Sequence, residues 1–281
     1  MAKFAFSSLP CDGWSALQIA EVCRKYGFTG VELREGEGMG ISLASGKEQW
    51  LRDSEIYREN GIEVTNIGTG ICVKGDAKDW EQLTLLKKQS EMAQVMGAKG
   101  LRVFLGNFAR RRDAALEPLD HKVIIKWLQD ASAIAGEYGI GVWIETHNEY
   151  ATGRVLRELL DKVNRTNCAV IYDIIHPLED GESPEDTIRL LGDACVHVHM
   201  KDGVPMDDPL EHDWLYTKVG EGAIPIGDIV RLLEQGGYKG YYSLEWETKW
   251  RQELQQPGMD VEQVFPEYIN YMNESLQKLK K

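Results

Sequence analysis

The chain has 281 residues and a formal net charge of −13, with 43% hydrophobic and 27% charged residues. That length suits two small domains or one large α/β barrel, which runs to about 250 residues as one unit. The acidic balance weighs against a nucleic-acid partner, because affinity for a phosphate backbone is driven by cations. No apolar run is long enough to cross a bilayer, and Met1-Ala2-Lys3 begins no signal peptide, so a cytoplasmic protein without a membrane partner is expected. Cys11, Cys23, Cys72, Cys168 and Cys195 are scattered without a CxxC pair, which reads as reduced core thiols.

In chain order, Lys3 to Phe6 reads as a first strand. Trp14 to Tyr26 has apolar residues at helical spacing and stops at Gly27. Strand two is Gly30 to Arg34, followed by a Gly-rich loop and a helix from Glu48 to Glu59. Strand three is Ile62 to Ile67, and the helix Trp80 to Met96 stops at Gly97. Strand four is Leu101 to Leu105, followed by a helix from Leu119 to Tyr138. Strand five is the apolar run Ile140 to Ile144, and Arg154 to Val163 is helical. Strand six is Cys168 to Asp173. Ser183 then caps a helix from Pro184 to Leu191. Strand seven is Cys195 to Met200, the next helix is Ile226 to Gln235, strand eight is Tyr241 to Glu245, and the last helix is Val261 to Leu279. Eight strand–helix units without a linker predict a single (β/α)8 TIM barrel over residues 1–281. The helix-to-strand turns are tight and the strand-to-helix loops long, which puts the site at the C-terminal ends of the strands.

Four strands turn polar at that end. Strand five runs into Glu145-Thr146-His147-Asn148, strand six ends in Asp173, strand seven in His197-Val198-His199, and strand eight in Glu245. Side chains alternate with period two along a strand. If Glu145 faces the barrel axis, so do Trp143 and His147; His199 goes with His197 and Lys201, and Glu245 with Ser243 and Glu247. Glu145, Asp173, His199 and Glu245 then converge. Three carboxylates in one place repel, and one divalent cation removes the conflict. Residue type leaves Mn²⁺, Mg²⁺, Co²⁺ and Zn²⁺ open. The bland alternative makes each a strand-end polar group in an ordinary ion pair.

As an ordered set these residues resemble the xylose isomerase-like barrel superfamily of sugar isomerases and epimerases, and most of all its ketose 3-epimerase and 2-keto-myo-inositol isomerase branch. The motifs are Gly30-Val31-Glu32-Leu33, Glu145-Thr146-His147, Asp173-Ile174-Ile175-His176, His199-Met200-Lys201-Asp202, Gly220-Glu221-Gly222-Ala223-Ile224-Pro225 and Tyr238 to Glu245. The resemblance implies that Glu145, Asp173, His199 and Glu245 hold one divalent metal ion, manganese first. It makes Glu145 and Glu245 acid–base groups as well, and His176 a substrate-binding residue. It implies a keto-sugar or keto-polyol substrate, α-proton abstraction through an enediolate, and a homo-oligomer (dimer or tetramer), with a hetero-oligomer as the alternative.

His147 is the further acid–base candidate, against a role as partner of Glu145. Lys201, Arg102 and Glu247 are substrate-binding candidates; Lys201 could instead pair with Asp202 or Glu247. Arg34 and Glu32 are expected beside Arg102 at the mouth, and His197 one layer deeper in the core. Arg110-Arg111-Arg112 suggests a phosphate contact or a solvated loop. Trp14, Trp246 and Trp250 suggest an apolar wall or simple packing. Other functions remain open: a lyase using the same enolate (a dehydratase or a 3-keto-glycoside deglycosidase), a non-catalytic sugar-binding subunit, and a nuclease of the endonuclease IV type. The last needs early histidines, and the first histidine here is His121.

Overall fold

In the computed structural model, which describes residues 2–107, 119–206 and 214–279, parallel strands form a closed barrel. They are β1 (Lys3–Ser7), β2 (Gly30–Arg34), β3 (Glu63–Val73), β4 (Gly100–Leu105), β5 (Gly141–Glu145), β6 (Cys168–Asp173) and β7 (Cys195–Met200). The antiparallel hairpin of β8 (Asp202–Pro205) and β9 (Trp214–Thr217) stands apart, and β10 (Tyr241–Leu244) closes the ring between β7 and β1. The helices are α1 (Ala16–Tyr26), α2 (Gly46–Glu59), α3 (Gln82–Met96), α4 (His121–Gly136), α5 (Gly153–Val163), α6 (Ile175–Glu179), α7 (Pro184–Leu191), α8 (Ile226–Gln235) and α9 (Val261–Lys278).

The helix ends explain the tight returns. Ser15, Asp120, Thr152, Ser183 and Asp260 accept backbone N–H groups at helix starts, and Gly27 and Gly97 close α1 and α3 in the left-handed conformation. Outward strand residues such as Val31, Val103, Ile144, Tyr172 and Val198 join the helices in the main core. Inside the barrel, Trp143, Ala169 and Ile171 form a smaller apolar layer beneath the polar strand ends. Gly100 and Gly141 make room for it, since a Cβ on either would lie 2.3 or 2.5 Å from the Trp143 ring.

Several boundaries differ from the sequence reading. β3 continues past Ile67 to Val73, with a register shift against β4 between Gly68 and Cys72. Gly68 and Gly70 hide this half of the strand, because glycine weakens a strand signal and marks bulges. α4 starts at His121 and ends at Gly136, inside the expected limits, and α2 starts two residues earlier than expected. The hairpin β8–β9 and the short α6 were read as loop; too few residues carry a pattern there. Arg110-Arg111-Arg112 lies outside the described residues.

Asp202 organises the long segment after β7. Its Oδ1 accepts the N–H of Gly203 (2.8 Å) and Ile224 (3.2 Å), and its Oδ2 those of Gly220 (2.8 Å) and Gly222 (3.0 Å). It therefore does not pair with Lys201. Asp202→Ala leaves these donors without a partner and is expected to destabilise the fold by about 2–3 kcal/mol. Urea unfolding measures it; an unchanged midpoint would remove Asp202 from this role.

Candidate active site

Glu145 closes β5, Asp173 closes β6, His199 lies near the end of β7, and Glu245 follows β10. One ligand atom from each lies within 4.8 Å of the others, and all four side chains are buried. Two residues between the strands set this geometry. Thr146 Oγ1 accepts the N–H of Asp173 at 2.8 Å and donates to its carbonyl at 3.0 Å, locking the end of β6 to β5. The N–H of Glu245 donates to Met200 O at 3.1 Å, extending the pairing of β10 with β7 by one residue.

Such a group is unstable without positive charge. Lys201 Nζ lies 2.6 Å from Asp173 Oδ2, 2.5 Å from Glu245 Oε2 and 2.6 Å from Glu247 Oε1, to which it donates a hydrogen bond. Burial opposes its charge, but these carboxylates raise its pKa well above the usual lysine value. Arg102 Nη1 donates to Glu145 Oε2 at 3.0 Å. The Glu145 carboxyl is accordingly lowered, against burial, by Arg102 and His199, and Glu245 is held well below the usual range, again against burial, by His199 and Lys201. Asp173, with no exposure, is raised, first by burial.

Glu32 does not line the mouth. It is buried beneath the cluster, and its Oε2 lies 2.7 Å from His199 Nε2 and 3.3 Å from His197 Nε2. Burial raises its pKa, but the two histidines outweigh that and hold Glu32 below the usual carboxylate range. Burial opposes a charge on His199, but Glu245, Glu32 and Glu145 raise its pKa well above the usual histidine value, and the ionised Glu32 accepts from its Nε2. Nδ1 faces Glu245 Oε2 at 3.3 Å and Glu145 Oε1 at 3.7 Å. His197 is the deeper core histidine expected, with burial lowering its pKa.

The residues fit a divalent ion. Asp173 Oδ2, Glu245 Oε2 and His199 Nδ1 are buried and converge, with the Lys201 ammonium against the two carboxylate oxygens as the nearest positive charge. Three carboxylates and an imidazole also form an oxygen-rich donor set of the kind such ions take.

Above the cluster lies a cavity of about 310 Å³ lined by Leu9, Arg34, Arg102, Phe104, His147, His176, Glu247 and Trp250 among others. His147 is fixed from behind. Asn148, at a left-handed φ of 51°, donates its Nδ2 to Leu105 O at 3.1 Å, so its Oδ1 meets His147 Nδ1 at 2.7 Å. His147 therefore carries its proton on Nδ1 and its lone pair on Nε2. Burial and then the charge of His176 push its pKa down to about 3, so the ring is neutral near pH 7. His176 sits in α6 rather than in a loop, with Nδ1 2.9 Å from Glu179 Oε2 and Nε2 3.6 Å from Asp173 Oδ2. Burial opposes its protonation, but Asp173 and Glu179 raise its pKa. The two rings are 4.3 Å apart.

Of the tryptophans, Trp250 lines the cavity. Trp246 is buried and donates to Met259 O, and Trp14 packs against the core. The sequence reading missed Phe104 and Leu9 as cavity walls and Thr146 and Asn148 as supports; their only signal was position at a strand end or beside a site residue.

A sequence model of the family described as Xylose isomerase-like TIM barrel matches residues 20–272. The chain is 26% identical over 161 residues to the uncharacterized protein MJ1311 of Methanocaldococcus jannaschii, a match covering 55% of this chain and about half (51%) of that protein. It is 20% identical over 245 residues to a 3-dehydroshikimate dehydratase of Bacillus anthracis, covering 83% and 85%. Among solved structures, L-ribulose 3-epimerase superposes with a TM-score of 0.79 at 16% identity, covering 100% of this chain and 96% of that one. A probable 3-DHS dehydratase of Bacillus anthracis gives 0.75 at 17%, covering 96% and 98%. At these identities the structural likeness establishes the fold.

Two variants test the cluster. Asp173→Ala is expected to lose most of the bound divalent metal by elemental analysis, and equal metal in both proteins would sink the ligand assignment. Glu32→Gln is expected to weaken metal affinity about 10- to 100-fold by freeing the His199 ring, measured by calorimetry with Mn²⁺; unchanged affinity would leave Glu32 a purely structural residue.

Proposed function

The chain belongs to the xylose isomerase-like TIM barrel family, and on that premise we propose a divalent-metal-dependent isomerase or epimerase of a keto-sugar or keto-polyol that removes a proton next to the carbonyl. The observation carrying this reading is the convergence of four side chains able to hold a metal with a neutral histidine, His147, at one cavity. Glu145, Asp173, His199 and Glu245 would hold the metal, Mn²⁺ in this proposal, which supplies charge stabilisation for the oxygens as the proton leaves.

The remaining work falls to the chain's own side chains. Arg102 ties up Glu145 Oε2, which makes Glu145 the weaker base. His147 presents an imidazole lone pair, and Glu245 a carboxylate. They come from β5 and β10, three strands apart around the ring, so they reach a bound carbon from different sides. One removes the proton and the other returns it, to the same carbon in epimerisation or to its neighbour in isomerisation. Lys201, buried among Asp173, Glu245 and Glu247, would act on substrate oxygens through those carboxylates, and Glu247, which lines the cavity, would orient a hydroxyl. A small carbohydrate in this site accords with the acidic chain and the modest cavity. Among the described residues no helix is long and apolar enough to cross a membrane.

One observation favours a second reading, elimination. His147 and His176 lie side by side, with pKa values displaced in opposite directions. A base and an acid in that relation suit loss of a proton and a hydroxyl from neighbouring carbons.

The test is exchange of the α-proton in heavy water across ketoses, keto-inositols and keto-glycosides with Mn²⁺. His147→Ala and Glu245→Gln should each lower exchange by about 100-fold or more. A dehydrated product formed with exchange would select the lyase reading, and no exchange on any compound would sink both. His176→Ala should keep the metal and the fold while lowering kcat and kcat/KM together; parental kinetics would remove His176 from the reaction.

A further inference from the structure

A second cavity opens at the other end of the barrel, where the strands begin. It holds about 410 Å³ and is lined by Lys3 of β1, Glu63 of β3, His197 of β7 and Tyr241 of β10 among others. That volume lies within the roughly 300–1,000 Å³ of small-molecule sites. The sequence explains the space. Barrel interiors are ordinarily filled by layers of side chains, but β2, β4 and β5 begin with Gly30, Gly100 and Gly141. The Trp143 indole folds back over two of these glycines: a Cβ on Gly141 would lie 2.5 Å from its Nε1, and one on Gly100 would lie 2.7 Å from it. The indole therefore forms the floor of the cavity, with the His197 ring stacked on it at 6.2 Å.

The donors at this end are unspent. Trp143 is only 9% exposed, yet its Nε1–H makes no hydrogen bond with any described residue. Lys3, Lys99 and Lys239 stand around the mouth and form no ion pair among the described residues. Lys3 Nζ lies 5.0 Å over the Tyr241 ring. Two carboxylates share the mouth: Glu63, whose Oε2 accepts from the Tyr241 hydroxyl at 3.2 Å, and Asp193. Three ammoniums against two carboxylates make this mouth positive on a chain of net charge −13. Ammonium and indole N–H groups only donate. What completes them must accept, as a lone pair at the floor for Trp143 and as an anion at the rim for the lysines. Between floor and rim lie the apolar or flat side chains of Ile188, Leu233 and Tyr241.

We propose that this cavity is a second small-molecule site, for a heteroaromatic anion. Such a ligand has a flat ring with an acceptor at its inner edge and a carboxylate or phosphate at its outer end. Its occupant does not reach the metal cluster, because the layer of Trp143 and His197 separates the two cavities. The site stands independently of the reaction proposed above.

The test is calorimetry on the purified protein with pyridine-4-carboxylate, benzoate, 4-pyridylmethanol and 4-pyridylmethyl phosphate. The pyridine acid should bind about 3- to 10-fold more tightly than benzoate, the range of one neutral hydrogen bond. It should bind about 10-fold more tightly than the neutral alcohol, an advantage that shrinks with added salt. Trp143→Phe, which keeps a ring and loses the N–H, should erase the preference over benzoate. Lys99→Gln, at an exposed position, should cut the preference over the alcohol several-fold and leave the melting curve unchanged. A lead of the phosphate over the carboxylate, or the reverse, supports the site and identifies the head group. Glu245→Gln, at the far end of the barrel, should bind the pyridine acid as the parent does. Equal binding of acid, benzoate and alcohol, preferences that survive both Trp143→Phe and Lys99→Gln, a loss of binding confined to Glu245→Gln, or no binding of any of the four would each overturn the site.

Discussion

Three carboxylates, Glu145, Asp173 and Glu245, are held out of water within a few ångströms of one another, and much of the surrounding structure answers that fact. Burial alone would drive each to take up a proton. Lys201 answers with an ammonium among Asp173, Glu245 and Glu247; Arg102 answers at Glu145; and His199, backed by Glu32, turns its Nδ1 toward the cluster. Each is itself a buried polar group that would be costly alone. The barrel is the device that brings them together, because parallel strands deliver one end residue apiece to the same ring.

Groups outside the charged cluster set the precision of the site. Thr146 clamps the end of β6 through both its donor and its acceptor, and Asn148 reads out the Leu105 carbonyl and so dictates which His147 nitrogen is basic. Asp202 gathers backbone donors from the segment after β7, and Gly68 keeps a wall thin enough for two arginines. None of these residues needs to touch a substrate. They fix rotamers and tautomers, and acid–base chemistry depends on both.

The histidine pair shows how one cavity can shift the same side chain in opposite directions. His147 is half-buried between the Phe104 ring and the His176 imidazole, while His176 faces two carboxylates. The same residue type is thereby pushed toward base on one side and acid on the other. The fold itself is shared with solved structures of an epimerase and a probable dehydratase.

The eight strand–helix units were legible in the sequence because each carries its own punctuation: Ser15 and Ser183 at helix starts, Gly27 and Gly97 at helix ends, short apolar runs between. The four ligand candidates were legible because strand periodicity and the common C-terminal rim put Glu145, Asp173, His199 and Glu245 in phase. Glu32 was misplaced at the mouth, since alternation says which face a residue takes but not how deep it lies, and depth is set by the stagger of neighbouring strands. β3 was cut short at Ile67 because its second half is held by pairing with β4 and not by its own propensity. The partners of Lys201, the tautomer of His147 and the juxtaposition of Arg34 with Arg102 were decided by tertiary structure alone. They depend on side chains from strands far apart in the chain meeting across a few ångströms, and local sequence pattern carries no information about that distance.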